Sequence, residues 1–267
     1  VPAWPCPRSI TAMRRRLALA AHDESAKGPG MPAVKRLVAV ARATSRTALL
    51  ETEAREILSA YGIEVPKSAF LKKPEDAESA AKTLGVSLLA LKVVSKDVLH
   101  KSEAGGVVLN VAGMAAIRNA VAQIMQTVQA RVPGATIDGV LASPMAPAGV
   151  ELIVGVTRDP QFGPVIMFGL GGVFVETIKD VVFRAVPISR EDAMEMIADI
   201  HFKGMLEGER GLPKVNKAAI VELLLKVSAL AAAHPEIAEI DINPVIAHGD
   251  DYTVADARMI LGGDAAA

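Results

Sequence analysis

The chain has 267 residues, 51% of them apolar and only 3% aromatic, so its core must be built from Ala, Val, Ile, Leu and Met. A formal net charge of -1 hides a division: residues 1–48 carry nine basic and two acidic residues, net +7, whereas residues 49–267 carry 20 basic and 28 acidic residues, net -8. The acidic body argues against a nucleic-acid scaffold, the richest apolar run (165–175) is too short to span a bilayer, and one cysteine, Cys6, excludes an internal disulfide framework or a cysteine-ligated zinc and fits a reducing, cytoplasmic setting.

In chain order, residues 1–46 read as a basic extension, disordered over 1–30, where Pro2, Pro5, Pro7 and a Gly-Pro-Gly at 28–30 cluster. Four arginines and no acid over 8–21 give it some character of a transit segment. The plainer reading is a tail, or an upstream stretch read before a start at Met13 or Met31.

From Thr47 the pattern turns regular. Leu50, Ala54, Ile57 and Tyr61 share a helical face, and Gly62 stands where a C-terminal cap belongs. Strands are expected at 68–73, 88–94 and 107–111, and Pro74 opens a helix ending at Gly85. Ile117, Val121, Ile124 and Val128 mark another helix. Strands follow at 139–145, 150–156, 164–168 and 181–186, helices at about 190–200 and 216–232, and terminal strands around a turn at 249–251. Interleaved elements followed by clustered strands indicate an α+β (α/β) chain with two lobes rather than a purely parallel sheet.

Three runs carry candidate chemistry. In LKVVSKDVLHKSEAGGVVLNV (91–111), Lys92 sits inside an apolar strand and faces either a cleft or solvent; a lysine in a cleft offers a point charge to phosphate. Gly105 and Gly106 leave room for backbone N–H groups to converge on an anion. His100, in the loop between strands, is a workable phosphoryl acceptor or acid–base group. The plain alternative is a glycine-rich hairpin with an exposed lysine and an inert histidine.

The second run, 150–176, sets Glu151 in an apolar strand and interrupts apolar sequence with Gly169, Gly171 and Gly172. It matches neither the phosphate-loop pattern nor a full GxGxxG. Its glycines imply close approach of a ligand or of another backbone, tight packing being the stronger reading on its own. In the third run, EIDINPV (239–245) and VADAR (254–258), Asp241 and Asn243 share a strand face and the turn returns Asp256 alongside. A carboxylate and an amide oxygen suit Mg²⁺, although turn and capping chemistry uses the same residues.

Taken together, the runs SRTALLETEAREILSAYGI, LKVVSKDVLHKSEAGGV, GVELIVGVTRDPQFGPVIMFGLGGVFVE and EIDINPV resemble the ATP-grasp β subunit of ADP-forming acetate–CoA ligases (NDP-forming acyl-CoA synthetases), over about residues 46–262. A more distant similarity is to succinyl–CoA ligase β subunits. The resemblance implies an ATP-grasp fold: a smaller nucleotide lobe at about 64–145, a larger lobe of 47–63 plus 146–262, and a tail at 263–267. It implies the reaction acyl-CoA + ADP + phosphate = acid + CoA + ATP, with Mg²⁺, completed by a CoA-binding α subunit in a hetero-oligomer.

By the same resemblance His100 relays the phosphoryl group toward ADP and Asp241 lies near the incoming phosphohistidine. Lys92 and Glu151 serve the nucleotide, with the glycines Gly105, Gly106, Gly169, Gly171 and Gly172 at its cleft. Ser143 and Met145 flank the adenine, and Asn243 and Asp256 hold Mg²⁺. Ala142-Ser143 departs from the more usual Val-Gln there, and Lys96 from a usual proline. Two other readings stand beside this one. One is a non-catalytic nucleotide-binding or regulatory module derived from this fold, as in fused protein acetyltransferases. The other is an ATP-grasp ligase acting without a partner, which would need no histidine at position 100.

Overall fold

The computed structural model of the chain describes residues 30–85, 88–98, 100–172 and 180–262. The expected tail, apart from Gly30, and the end of the glycine-rich run at 173–176 lie outside the described residues.

The first element among the described residues is helix α1, Met31–Ala43. Val34, Leu37, Val38 and Ala41 recur at the i, i+3, i+4, i+7 spacing and are buried, while Lys35, Arg36 and Arg42 point to solvent. This corrects the assignment of residues 1–46 to an extension: the basic charge of 31–43 is the outer face of an amphipathic helix. Helix α2, Glu51–Ala60, follows. It ends at Gly62 (φ +71°), where the Gly62 N–H donates to the Ser59 carbonyl at 2.9 Å and the Ile63 N–H to Leu58 at 3.0 Å. That paired bonding is the Schellman motif, and the left-handed φ explains the glycine.

The smaller lobe contains β1 (Ala69–Leu71), a 3₁₀ turn (Pro74–Asp76) running into α3 (Ala77–Leu84), β2 (Leu89–Val94), β3 (Val107–Val111), α4 (Met114–Arg131) and β4 (Gly139–Pro144). Its sheet is antiparallel in the order β1-β4-β2-β3. The α4 stripe Ile117, Val121, Ile124 and Val128 packs with Leu89, Leu91 and Val93 in one core.

The larger lobe contains β5 (Val150–Asp159), β6 (Gly163–Leu170), β7 (Val181–Ala185), α5 (Arg190–Asp199), α6 (Lys217–Ala233), β8 (Ile237–His248), β9 (Asp251–Val254) and β10 (Arg258–Leu261). Its antiparallel sheet runs β10-β8-β5-β6-β7, with β9 also paired to β8. Ser189 and Asp192 exchange hydrogen bonds as a capping box at the start of α5, and Asn216 Oδ1 accepts the Ala218 N–H at 3.1 Å to start α6. Leu37, Ile57, Val154, Phe168, Leu224 and Ile242 belong to one core, separate from that of the smaller lobe.

One irregularity in this sheet shapes the site. Leu152 pairs with Val245 and Val154 with Ile242, so Ile153 alone stands opposite Asn243 and Pro244. The extra residue is a β-bulge, and Pro244, which has no N–H to give a ladder, is compatible with it. The bulge resets the side-chain alternation: Ile240 and Ile242 before it, and Val245 and Ala247 after it, all enter the core. Strand β9 pairs with the far half of β8 (Val245–His248) and β10 with the near half (Ile237–Asp241). The connecting residues 255–257 therefore pass beside the bulge, where the Ala255 N–H donates to the Pro244 carbonyl at 3.0 Å.

Candidate active site

Strand β2 is buried along its whole length because both faces are covered. Leu89, Leu91 and Val93 alternate into the smaller core, so Ala90, Lys92 and Val94 present the opposite face. Lys92 reaches the larger lobe: its Nζ donates to the Ala255 carbonyl at 2.6 Å and lies 3.7 Å from Asp256 Oδ2. Burial pulls its pKa below the usual lysine range, against the opposing pull of Asp256 and Glu51.

The loop after β2 carries His100, which is exposed, and Lys101. The Ala104 N–H donates to His100 O (3.1 Å), Gly105 N–H to Ser102 O (3.0 Å) and Gly106 N–H to Lys101 O (2.7 Å). The expected anion cradle at Gly105 and Gly106 is therefore not formed, since both N–H groups are spent winding the loop. The glycines serve shape: Gly105 has φ +71°, and a Cβ on Gly106 would collide with Val93.

Lys101 Nζ donates to both Asp256 oxygens, at 2.7 and 3.1 Å, and to Glu51 Oε2. Burial lowers its pKa, but Glu51 and Asp256 outweigh that and leave it raised. Burial also works to raise Asp256, and the Lys92 and Lys101 charges reverse this, holding its carboxyl below the ordinary range.

Asp241 and Asn243 project from β8, and Asp256 from the 255–257 connection that crosses beside them. Burial raises the pKa of Asp241; Arg258 opposes, while Glu239 and Asp256 add like charge. Arg258 donates to Glu239 at 2.7 Å and sits 3.6 Å from Asp241. His100, Lys101, Asp241, Asn243, Asp256 and Arg258 line a common cleft of about 390 Å³, with part of α2's first turn as a further wall.

The other expected residues lie outside that lining. Ser143 is buried in β4 beside Ala90, and the Met145 N–H donates to the Leu88 carbonyl at 2.7 Å. Glu151 is exposed at the start of β5. The Gly171 N–H donates to the Glu151 carbonyl at 2.7 Å, and a Cβ on Gly172 would meet the Glu151 side chain. A Cβ on Gly169 would stand 2.5 Å from the Asp180 carbonyl, so close backbone approach accounts for that glycine.

Sequence reasoning passed over Glu51, Arg55, Lys101 and Arg258. Arg55 donates from Nε to Glu51 Oε1 at 3.0 Å, with Nη2 lying 2.9 Å from the same oxygen as an ion pair, and from Nη2 to the Ala255 carbonyl at 2.9 Å. An i,i+4 Glu–Arg pair ordinarily signals an exposed helix face, and nothing local marks this one as buried. Lys101 stands within the quoted motif, and its adjacency to His100 was the one available signal.

A sequence profile of the ATP-grasp domain matches residues 40–261. The subunit beta of acetate–CoA ligase (ADP-forming) I from Pyrococcus furiosus is 45% identical over 227 residues, covering 85% of this chain and 97% of that one. The chain belongs to the ATP-grasp family, among the β subunits of ADP-forming acetate–CoA ligases.

This β-type chain also matches acetate–CoA ligase (ADP-forming) I of Archaeoglobus fulgidus, at 47% identity over 79% of the present chain but only 30% of the longer protein. Among solved structures, acetyl-coenzyme A synthetase 1 of Ca. Korarchaeum cryptofilum, in complex with coenzyme A and Ca-AMPCP, aligns with a TM-score of 0.83 at 43% identity, over 85% of this chain and 99% of that one. The same protein with coenzyme A and Mg-AMPPCP, its phosphohistidine segment pointing towards the nucleotide-binding site, aligns with a TM-score of 0.73 at 39% identity, with the same coverage. No helix among the described residues is long and apolar enough to cross a membrane.

Proposed function

We propose that this chain is the nucleotide-side subunit of an ADP-forming acyl-CoA ligase, moving a phosphoryl group between a histidine and ADP while a separate CoA-binding α subunit handles the acyl group. The observation that carries the reading is the convergence of His100, Asp241, Asn243 and Asp256 on one cleft from two lobes with separate cores. The Pyrococcus furiosus relative that this chain covers almost end to end is named a subunit beta, which supports a partner subunit.

Each residue then has a chemical task. The exposed imidazole of His100 accepts the phosphoryl group; in the forward step an oxygen of the ADP β-phosphate attacks phosphorus, the N–P bond breaks, and its electron pair returns to the ring. Asp241, a partly desolvated carboxylate in the same wall, orients the incoming imidazole. Lys92 supplies fixed positive charge for phosphate oxygens. Ser143, Met145, Glu151 and the Gly169–Gly172 turn, at the join of the lobes, are proposed to hold the rest of the nucleotide.

The donor set fits a hard divalent cation: one amide oxygen from Asn243 and one carboxylate from Asp256, leaving positions for water and phosphate oxygens, which is how Mg²⁺ is commonly held. When bound, the cation would neutralise phosphate charge. Catalysis otherwise rests on in-line placement and on charges fixed before the reaction.

The test is transfer of label. The chain is mixed with a CoA-binding α subunit, coenzyme A, acetate and γ-³²P-ATP, and acid-labile label is mapped by peptide. Label on the peptide containing His100 is expected. Labelling of the α subunit alone, at an undiminished rate with His100→Ala, would refute the relay.

A further inference from the structure

We propose that Lys101 competes with the divalent cation for Asp256, so that cation loading and the setting of the His100 loop are a single event; this rests on the metal reading above. Three cations, Arg55, Lys92 and Lys101, face two carboxylates, Glu51 and Asp256, at the junction of the lobes. Both oxygens of Asp256 are engaged: Lys101 contacts each of them, and Oδ1 also accepts the Ala257 N–H at 2.9 Å. A cation bound by Asp256 must take at least one oxygen that now faces an ammonium group, and two positive centres on one carboxylate repel.

Lys101 can yield that oxygen without being stranded. Its second partner, Glu51, is almost wholly buried and is clamped from the other side by Arg55. On losing Asp256, Lys101 keeps a desolvated counter-charge, so exchange exposes no unpaired buried ion. The movement is transmitted to the relay histidine because Lys101 is its covalent neighbour and its carbonyl anchors the loop through Gly106. Lys101 is thus a positioning residue. A merely structural ion pair would contribute to stability and leave cation affinity alone.

The test uses the full chain and Mn²⁺ alone, free Mn²⁺ being counted by electron paramagnetic resonance. Lys101→Met should tighten Mn²⁺ binding by about tenfold, the factor that applies when the competing contact is made about nine-tenths of the time. Asp256→Asn should weaken it. Unchanged or weaker binding by Lys101→Met, with Asp256→Asn weakened, overturns the competition and leaves the metal site standing. Binding unaffected by Asp256→Asn overturns both. Should Lys101→Met fail to fold, the wild-type chain decides: acylation of Lys101, followed by peptide mass spectrometry, should accelerate several-fold in saturating Mn²⁺, and an unchanged rate overturns the proposal.

Discussion

The smaller lobe brings cations and a histidine to the junction; the larger lobe brings most of the oxygens. Lys92, Lys101 and His100 come from one strand and its following loop, whereas Glu51, Asp241, Asn243 and Asp256 come from α2, β8 and the 255–257 connection. The two sides are also built differently. β8 is locked into a ladder on both edges, so its polar face is fixed by pairing. The His100 loop is wound by three local backbone bonds and tied across the cleft by one lysine side chain. The contrast teaches that the anionic half is preorganised, while the geometry of the cationic half depends on what the carboxylates are holding.

Four substitutions break or sharpen that contrast. The largest effect falls on chemistry: His100→Ala, assembled with an α subunit, should lose at least about a thousandfold in ATP formation, as removal of a nucleophile does elsewhere. Nucleotide affinity by calorimetry should hold within about threefold, because the His100 side chain is exposed. Next is Asp256→Ala. It leaves three cations facing Glu51 alone, at a cost of about 2–5 kcal/mol in denaturant unfolding, and it should abolish the Mg²⁺-dependent part of nucleotide affinity.

Asp180→Asn probes a carboxylate of the larger lobe whose work is structural. Asp180 is 3% exposed and accepts the N–H groups of His201 (2.9 Å) and Phe202 (3.0 Å). The loss should be about 1–3 kcal/mol at neutral pH. Burial works to raise its pKa, yet the Phe202 and His201 hydrogen bonds prevail and hold it below the ordinary value of 3.8. A depressed carboxyl stabilises the fold above its unfolded pKa and loses that contribution as pH falls through the folded one. The difference between wild type and Asp180→Asn should therefore shrink on acidification below about pH 4, measured by urea unfolding across pH. The smallest effect on stability belongs to Lys92→Met, since burial already opposes the charge there. Unfolding should change little, while nucleotide binding falls at least tenfold by the same calorimetry.

Most of the fold was legible because its signals are local. The α4 stripe, the Gly62 cap and the alternating strands each carry their own period or punctuation. Helix α1 was hidden by its charge: Lys35, Arg36 and Arg42 made 31–43 look like part of a basic tail, although Val34, Leu37, Val38 and Ala41 repeat at helical spacing. The polar face of β8 was legible for the same reason, period 2. The buried network was not, since Glu51 and Asp256 are 205 positions apart and are bridged by the lysine of a third segment. Gly105 and Gly106 misled in the opposite way, because paired glycines signal tight backbone without saying whether the N–H groups are free.

The bulge at Asn243–Pro244 has a consequence for how this chain can vary. Ile240 and Ile242 on one side and Val245 and Ala247 on the other enter the same core only because one extra residue separates them in phase. Deleting a single residue there would turn one of the two pairs out to water and shift Asp241 or Asn243 out of register with Asp256. The number of residues from 242 to 244 is therefore as constrained as their identity.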